Sequence, residues 1–117
     1  MLSRRRILLA EDDFLVAADL IAAVEAADGE VVGPASSVAE ALAILATAAI
    51  DAAILDIQLS DGDVTRLAEQ LLADGTPLVF HTASAVPTII LDRYGPVTIC
   101  AKPMASDRVV MHLARKF

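Results

Sequence analysis

The amino-acid sequence predicts an α/β fold in which five parallel strands form a doubly wound sheet. Short apolar segments alternate along the chain with longer helix-like segments, which is typical of repeated βα units. Apolar and polar residues do not alternate within the apolar segments, as expected for strands that helices cover on both faces. Only 3% of the residues are aromatic, so we expect a core of Ala, Leu, Ile and Val.

The first βα unit opens the chain. Ile7–Ala10 is a continuous apolar run that acidic residues end abruptly, and we interpret it as the first strand. Phe14–Ala27 is rich in Ala and Leu and contains neither Gly nor Pro, which favours a helix. Asp28 and Gly29 follow, where a left-handed C-terminal cap is expected.

The second unit is short. Glu30–Gly33 is predicted to form the second strand, which ends where Pro34 follows glycine. Ser37 and Glu40 then form a Ser-x-x-Glu pattern of the kind that caps helices, so we expect the second helix to begin near Ser37.

The third unit has an acidic residue directly after its strand. Ala52–Leu55 is expected to be the most buried strand, and it places Asp56 at its carboxyl end. Gln58–Gly62 is interpreted as a loop, and Asp63–Asp74 as a helix closed by Gly75.

The last two units include a short helix. Pro77–Phe80 is predicted to be the fourth strand. Pro87 and a later Gly-Pro pair leave room for only a short fourth helix, Thr88–Tyr94. Val97–Ala101 is expected to be the fifth strand, and a final helix is predicted over Ser106–Arg115 with its first serine as the N-cap.

The length, charge and composition of the chain disfavour several classes of function. The chain has 117 residues, which fits a single domain over 1–117 and leaves no output domain. Its net charge of -7 disfavours nucleic-acid binding, and Arg4–Arg6 is interpreted as a solvated strand flank. No leader or membrane-spanning stretch is apparent, so a cytoplasmic protein is expected. The lone Cys100 lies in an apolar run and is interpreted as buried and inert.

Polar residues interrupt the apolar runs at the strand ends, where ligands bind in an open α/β sheet. They are Glu11 and Asp12, Asp56, Thr82 and Lys102. Three carboxylates in one crevice repel one another unless a cation shares the site, which indicates a hard divalent ion such as Mg²⁺ or Mn²⁺. A carboxylate beside such an ion can act as a nucleophile towards a phosphoryl group.

The sequence resembles the receiver domain of two-component response regulators over essentially its whole length, in the stand-alone form of that domain. Four segments carry the resemblance: Ile7-Leu8-Leu9-Ala10-Glu11-Asp12-Asp13, Ile54-Leu55-Asp56-Ile57-Gln58-Leu59, Phe80-His81-Thr82-Ala83 and Lys102-Pro103. The resemblance implies a flavodoxin-like receiver fold and a signalling phosphoacceptor rather than an enzyme, one that assists its own phosphotransfer and dephosphorylation.

The resemblance also implies a role for each site residue. Asp56 matches the phosphoacceptor, and the phosphoryl donor is a histidine kinase or a histidine phosphotransfer protein. Glu11 and Asp12 match the acidic pair that binds Mg²⁺, together with Asp56 and the backbone carbonyl of Gln58.

Thr82 and Lys102 match the residues that contact the phosphoryl group, and Lys102-Pro103 matches a peptide bond that is usually cis. The chain departs from the family at Ile99, where an aromatic residue is common, and in its short fourth helix. Output is expected through contacts with an unidentified downstream protein, and a homodimer is compatible with this interpretation.

Three other functions compete with this interpretation. A phosphatase resembling the haloacid-dehalogenase type needs a second Asp at the position of Gln58, and a nucleotide or flavin binder needs a Gly-rich loop after the first strand. A degenerate receiver that binds proteins without phosphorylation is favoured by Ile99 and opposed by the intact set of site residues.

Several polar residues near the motifs have structural interpretations. Asp61 and Asp63 flank Gly62 and are interpreted as turn residues. Asp13 fits either a metal contact or the cap of the first helix. His81 is expected to be a packed or half-exposed residue rather than a phosphocarrier.

Overall fold

The computed structural model describes residues 1–117 and contains seven strands and five helices. In chain order these are β1 (Arg6–Ala10), α1 (Phe14–Ala26), β2 (Glu30–Ala35), α2 (Val38–Thr47), β3 (Ala52–Leu55), β4 (Gln58–Leu59), β5 (Gly62–Asp63), α3 (Thr65–Ala73), β6 (Leu78–Thr82), α4 (Thr88–Tyr94), β7 (Ile99–Ala101) and α5 (Ser106–Ala114). No helix has the length and hydropathy that crossing a membrane requires.

Five of the strands form one parallel sheet in the order β2-β1-β3-β6-β7, which confirms the predicted doubly wound fold. Alternate residues of each strand enter two apolar clusters, one on each face. On β1, Leu8 belongs to the cluster that α2, α3 and α4 cover, and Leu9 to the cluster under α1 and α5. The strand order reverses between β1 and β3, so a crevice is expected at their carboxyl ends.

The second strand was predicted to end at Gly33, and this prediction is wrong. β2 continues through Pro34 to Ala35, and the Gly33-Pro34 peptide bond is cis. The strand tolerates proline because it lies at the edge of the sheet, where a backbone N–H has no neighbouring strand to pair with. Its register with β1 shifts by one residue between the pairs Leu8 with Val32 and Ala10 with Ala35.

The left-handed C-terminal turn predicted at Asp28 and Gly29 is confirmed. Asp28 is the left-handed residue, with φ of 64°, whereas Gly29 is not in the left-handed region. Gly29 is required for packing instead, since a Cβ there would lie 2.7 Å from Leu2 Cδ1 and 2.8 Å from Val24 Cγ1. The buried Leu2 therefore fills the space that a side chain at this position would occupy.

Residues 58–63 were predicted to be mainly a loop, but they form an antiparallel hairpin. Gln58 pairs with Asp63 and Leu59 pairs with Gly62, so Ser60 and Asp61 make the turn. Two-residue strands are too short to leave a periodic pattern in the sequence.

Element ends shift by one or two residues elsewhere, as helix and strand termini commonly do. α3 begins at Thr65, β7 begins at Ile99, and the N-cap of α5 is Ala105 rather than Ser106. The predicted short fourth helix is confirmed over Thr88–Tyr94.

Candidate functional site

The crevice between β1 and β3 holds a cluster of three carboxylates. Glu11 and Asp12 follow β1, Asp56 follows β3, and one carboxylate oxygen from each lies within 4.8 Å of the other two. Glu11 and Asp56 are buried, whereas Asp12 is exposed. The sheet therefore brings together the three acidic side chains that the sequence analysis placed at strand ends.

Lys102 joins the cluster from the strand-end loop after β7. Its Nζ donates to Glu11 Oε1 and to Asp56 Oδ2, each at 2.8 Å. Burial lowers the pKa of Lys102, but the hydrogen bonds to Asp56 and Glu11 outweigh it, so the net pKa is raised. The side chain is therefore a cation held between two carboxylates. The peptide bond from Lys102 to Pro103 is cis, as the resemblance implied.

The surroundings of Glu11 in the crevice change the pKa of its carboxyl group. Burial raises its pKa, the charge of Asp56 adds to the rise, and hydrogen bonds from Lys102 and from the Asp13 backbone N–H oppose it. Burial is the largest of these effects and repulsion by Asp56 is a smaller one, so the net pKa is raised. A second cation beside Glu11 and Asp56 would relieve this repulsion.

Asp12 and Asp13 have different roles despite being neighbours. The Asp12 carboxylate makes no hydrogen bond or ion pair within the chain, so it is free to bind a ligand from solvent. Asp13 caps α1, where its Oδ1 accepts from Leu15 N at 2.9 Å and from Val16 N at 3.1 Å. Of the two interpretations of Asp13, helix capping is the one seen here.

Thr82 lies at the carboxyl end of β6, the strand next to β3, and Gln58 lies in the segment that follows β3. Thr82 ends β6 and is buried, and its Oγ1 accepts from Ser84 N at 2.9 Å, which leaves the hydroxyl proton free to be donated. The Lys102 N–H donates to Thr82 O at 2.9 Å, so the two strand ends are paired. Gln58 begins β4, two residues after Asp56, and its side chain is exposed.

His81 is packed rather than half-exposed, which is one of the two placements predicted for it. It is 3% exposed, and neither ring nitrogen has a hydrogen-bond partner. Burial lowers its pKa, the charge of Lys102 lowers it further, and Asp56 partly opposes both. The imidazole is consequently neutral in the folded protein.

Replacing His81 by Leu is expected to remove a pH dependence of stability. Because the folded-state pKa is lowered, the unfolded chain binds the proton first, and stability falls as the pH drops through about 6.5, by at most about 1.4 kcal/mol per pH unit. Chemical denaturation of His81→Leu between pH 7.5 and 5 should lack this contribution. The variant should also be about 1 kcal/mol more stable at pH 7, because two unpaired nitrogens are gone.

His112→Gln is the matched control, since His112 is the only other histidine. It should retain the His81 contribution. Equal pH profiles for His81→Leu and the unaltered chain would contradict the assignment of this dependence to His81.

Asp61 has a contact that the sequence did not indicate. Its Oδ1 accepts from Val38 N at 2.7 Å and its Oδ2 accepts from Ala39 N at 3.1 Å, so it binds the first two amides of α2. These two bonds lower its pKa. The Asp63 carboxylate makes only a local contact, accepting from Thr65 N at 2.9 Å. The Asp61 contact spans 23 positions of sequence, and no motif signals it.

The chain is similar to known proteins in sequence and in fold. Residues 7–114 match the family model of the response regulator receiver domain. The solution structure of SdrG from Sphingomonas melonis Fr1 is 37% identical, with 97% of each chain covered and a TM-score of 0.79. The non-phosphorylated HemR receiver domain from Leptospira biflexa is 29% identical, covering 95% of this chain and 92% of that one, with a TM-score of 0.80.

A third similar structure is the PhyR response regulator REC domain from Erythrobacter litoralis. It is 25% identical, with 98% of this chain and 90% of that chain covered, and its TM-score is 0.81. A search of curated protein sequences gave no significant match.

Proposed function

Because this chain belongs to the response regulator receiver domain family, we propose that it is a Mg²⁺-dependent phosphoacceptor of two-component signalling, with Asp56 as the acceptor. The phosphoryl donor is a histidine kinase or a histidine phosphotransfer protein. The observation that carries the proposal is the position of Asp56, whose carboxylate lies in the acidic cluster and 2.8 Å from Lys102 Nζ.

The donor set fits a hard divalent cation. Glu11, Asp12 and Asp56, with the backbone carbonyl of Gln58, would offer Mg²⁺ or Mn²⁺ only oxygen ligands, which these ions prefer. The raised pKa of Glu11 comes first from burial and then from the charge of Asp56, and a bound cation would oppose both by stabilising the ionised carboxylate. When bound, the ion would neutralise charge on the phosphoryl group that arrives at Asp56.

The transfer step uses the carboxylate of Asp56. One of its oxygens attacks the phosphorus of the donor's phosphohistidine, the P–N bond breaks, and the imidazole nitrogen keeps the electron pair and takes up a proton. Lys102 Nζ then moves from the carboxylate to a phosphoryl oxygen, and the Thr82 hydroxyl donates to another. Later attack of water on phosphorus would break the new P–O bond and restore the carboxylate.

An apolar patch beside the cluster suits the approach of a donor protein. Phe14 and Leu15 begin α1 directly after the acidic residues, and they are 83% and 73% exposed. Large exposed apolar side chains next to a reactive group commonly mark a protein contact. A donor that packs on these two residues would bring its phosphohistidine close to Asp56.

Intact-mass spectrometry tests the proposal directly. The chain is incubated with acetyl phosphate, once with Mg²⁺ and once with a chelator. One phosphoryl adduct that needs the metal is the expected result. A folded protein that binds Mg²⁺ and acquires no adduct from acetyl phosphate or from phosphorylated histidine proteins would contradict it.

The Asp12→Asn variant is expected to lose Mg²⁺ binding and to gain stability without the metal. The substitution removes one of three mutually repelling carboxylates, and Asp12 has no partner within the chain to lose. We expect the Tm in chelator to rise by about 3 °C. Thermal melts with and without Mg²⁺ measure both effects, and a Tm gain from Mg²⁺ as large as that of the unaltered chain would contradict this role.

A second candidate function is a binding module that needs no phosphorylation. Ile99 is 48% exposed where the family commonly has an aromatic residue, and Ile89 and Leu91 on α4 are 46% and 38% exposed. These side chains would offer a partner an apolar contact in either phosphorylation state. Absence of an adduct in the mass experiment would favour this function.

A further inference from the structure

The hairpin of β4 and β5 is fastened to the start of α2 by its turn. Ser60 N donates to Ser36 O at 3.1 Å, and the Asp61 carboxylate accepts from Val38 N at 2.7 Å and from Ala39 N at 3.1 Å. Three hydrogen bonds therefore connect two segments that are more than 20 residues apart in the sequence.

This connection joins the hairpin to a segment that is itself hydrogen-bonded to a residue of the acidic cluster. The segment that receives the hairpin follows Ala35, whose carbonyl accepts from Glu11 N at 2.9 Å. The hairpin itself begins at Gln58, two residues after Asp56. The hairpin that begins beside Asp56 is therefore hydrogen-bonded to the segment that follows Ala35, the backbone partner of Glu11.

The helix does not depend on Asp61 for its own N-cap. Ser37 is the N-cap of α2, and its Oγ accepts from Glu40 N at 3.0 Å. Asp61 supplies acceptors for two further amides of this helix from the turn of the hairpin. Its position thus combines helix capping with attachment of the hairpin, whereas Ser37 provides capping alone.

We propose that Asp61 is a positioning residue for the metal site, which holds the hairpin against α2 so that the Gln58 carbonyl and Asp56 keep the geometry that binds Mg²⁺. The inference rests on the proposed function, since it assumes the Mg²⁺ site. Residues that orient metal ligands commonly change metal affinity by about 10- to 100-fold when replaced. Asp61 is not one of the three carboxylates of the acidic cluster, and it would act through the backbone of the hairpin.

The test is a Mg²⁺ titration of the full chain followed by amide NMR signals, with Tm measured in parallel. Asp61→Ala should raise the Kd for Mg²⁺ by about tenfold, because the hairpin loses two of its three bonds to the start of α2. Ser37→Ala removes the other cap of the same helix and should lower the Tm while leaving the Kd unchanged.

Glu40→Gln controls for charge. It removes a carboxylate from the first turn of α2, and the amide oxygen can still accept from Ser36 Oγ. Its Kd should stay within about twofold, because exposed charges are screened by salt. An unchanged Kd in folded Asp61→Ala, or an equal rise in Glu40→Gln or Ser37→Ala, would overturn the positioning role alone. No Mg²⁺ binding by the unaltered chain would overturn the proposed function and the positioning role together.

Discussion

The Asp56→Asn variant is expected to acquire no phosphoryl adduct under conditions that fully modify the unaltered chain. An amide is not a nucleophile towards phosphorus, and the other two carboxylates of the cluster are not placed alike. Lys102 contacts both Glu11 and Asp56, but only Glu11 also accepts from the Asp13 N–H, and Asp12 lies exposed. Only Asp56 lies at the end of the central strand β3.

The fold should survive this substitution. The amide side chain that replaces the carboxylate still offers Lys102 an oxygen acceptor, and repulsion with Glu11 is relieved. Intact mass and a thermal melt of the same sample measure both outcomes, with Asp74→Asn as a control for loss of an exposed carboxylate. Undiminished, hydroxylamine-sensitive labelling of Asp56→Asn would show that another side chain is the acceptor.

The strands of the sheet could be predicted because each one is encoded by a local run of residues. Buried parallel strands are continuous apolar runs, and Ala52–Leu55 was placed to the residue. The β2 strand was cut short because a Gly-Pro pair usually breaks a strand, and only its position at the sheet edge makes Pro34 tolerable. That position depends on strand order, which no local pattern encodes.

The acidic cluster could be predicted for the same reason that the sheet could. Parallel strands point their carboxyl ends to one edge, so polar residues that follow apolar runs converge there. The Asp61 contact could not be predicted, because it joins the turn of one loop to the amides of a distant helix. Turn chemistry alone already explains an Asp beside a Gly, which hides any further role.

The Lys102→Ala variant is expected to be less stable than the unaltered chain without metal, by about 2 kcal/mol at pH 7. Removing one partner of a buried ion pair commonly costs about 3 to 5 kcal/mol, and the Lys102 side chain is 22% exposed, which reduces the effect. Glu11 and Asp56 would be left as adjacent, buried carboxylates without a cation. Lys102→Arg, which keeps the positive charge, should lose less stability than Lys102→Ala.

Mg²⁺ should restore much of the stability that Lys102→Ala loses, because the ion can take the place of the missing ammonium group. Saturation at 100 times Kd adds about 2.7 kcal/mol, and a lower Kd in the variant makes the gain larger than in the unaltered chain. The deficit should also shrink as the pH falls, since the pKa of Glu11 is raised in the folded state and protonation removes its charge.

The same variant should separate metal binding from the response to phosphorylation. In this variant the phosphoryl group on Asp56 cannot attract an ammonium group away from Glu11. The loop after β7 then has no charged side chain that contacts the site. Phosphorylation should therefore perturb amide signals near Asp56 but not along β7 and α5. A phosphorylated spectrum that matches the unaltered protein's would mean that the signal passes through Thr82 and the β6 end of the sheet instead.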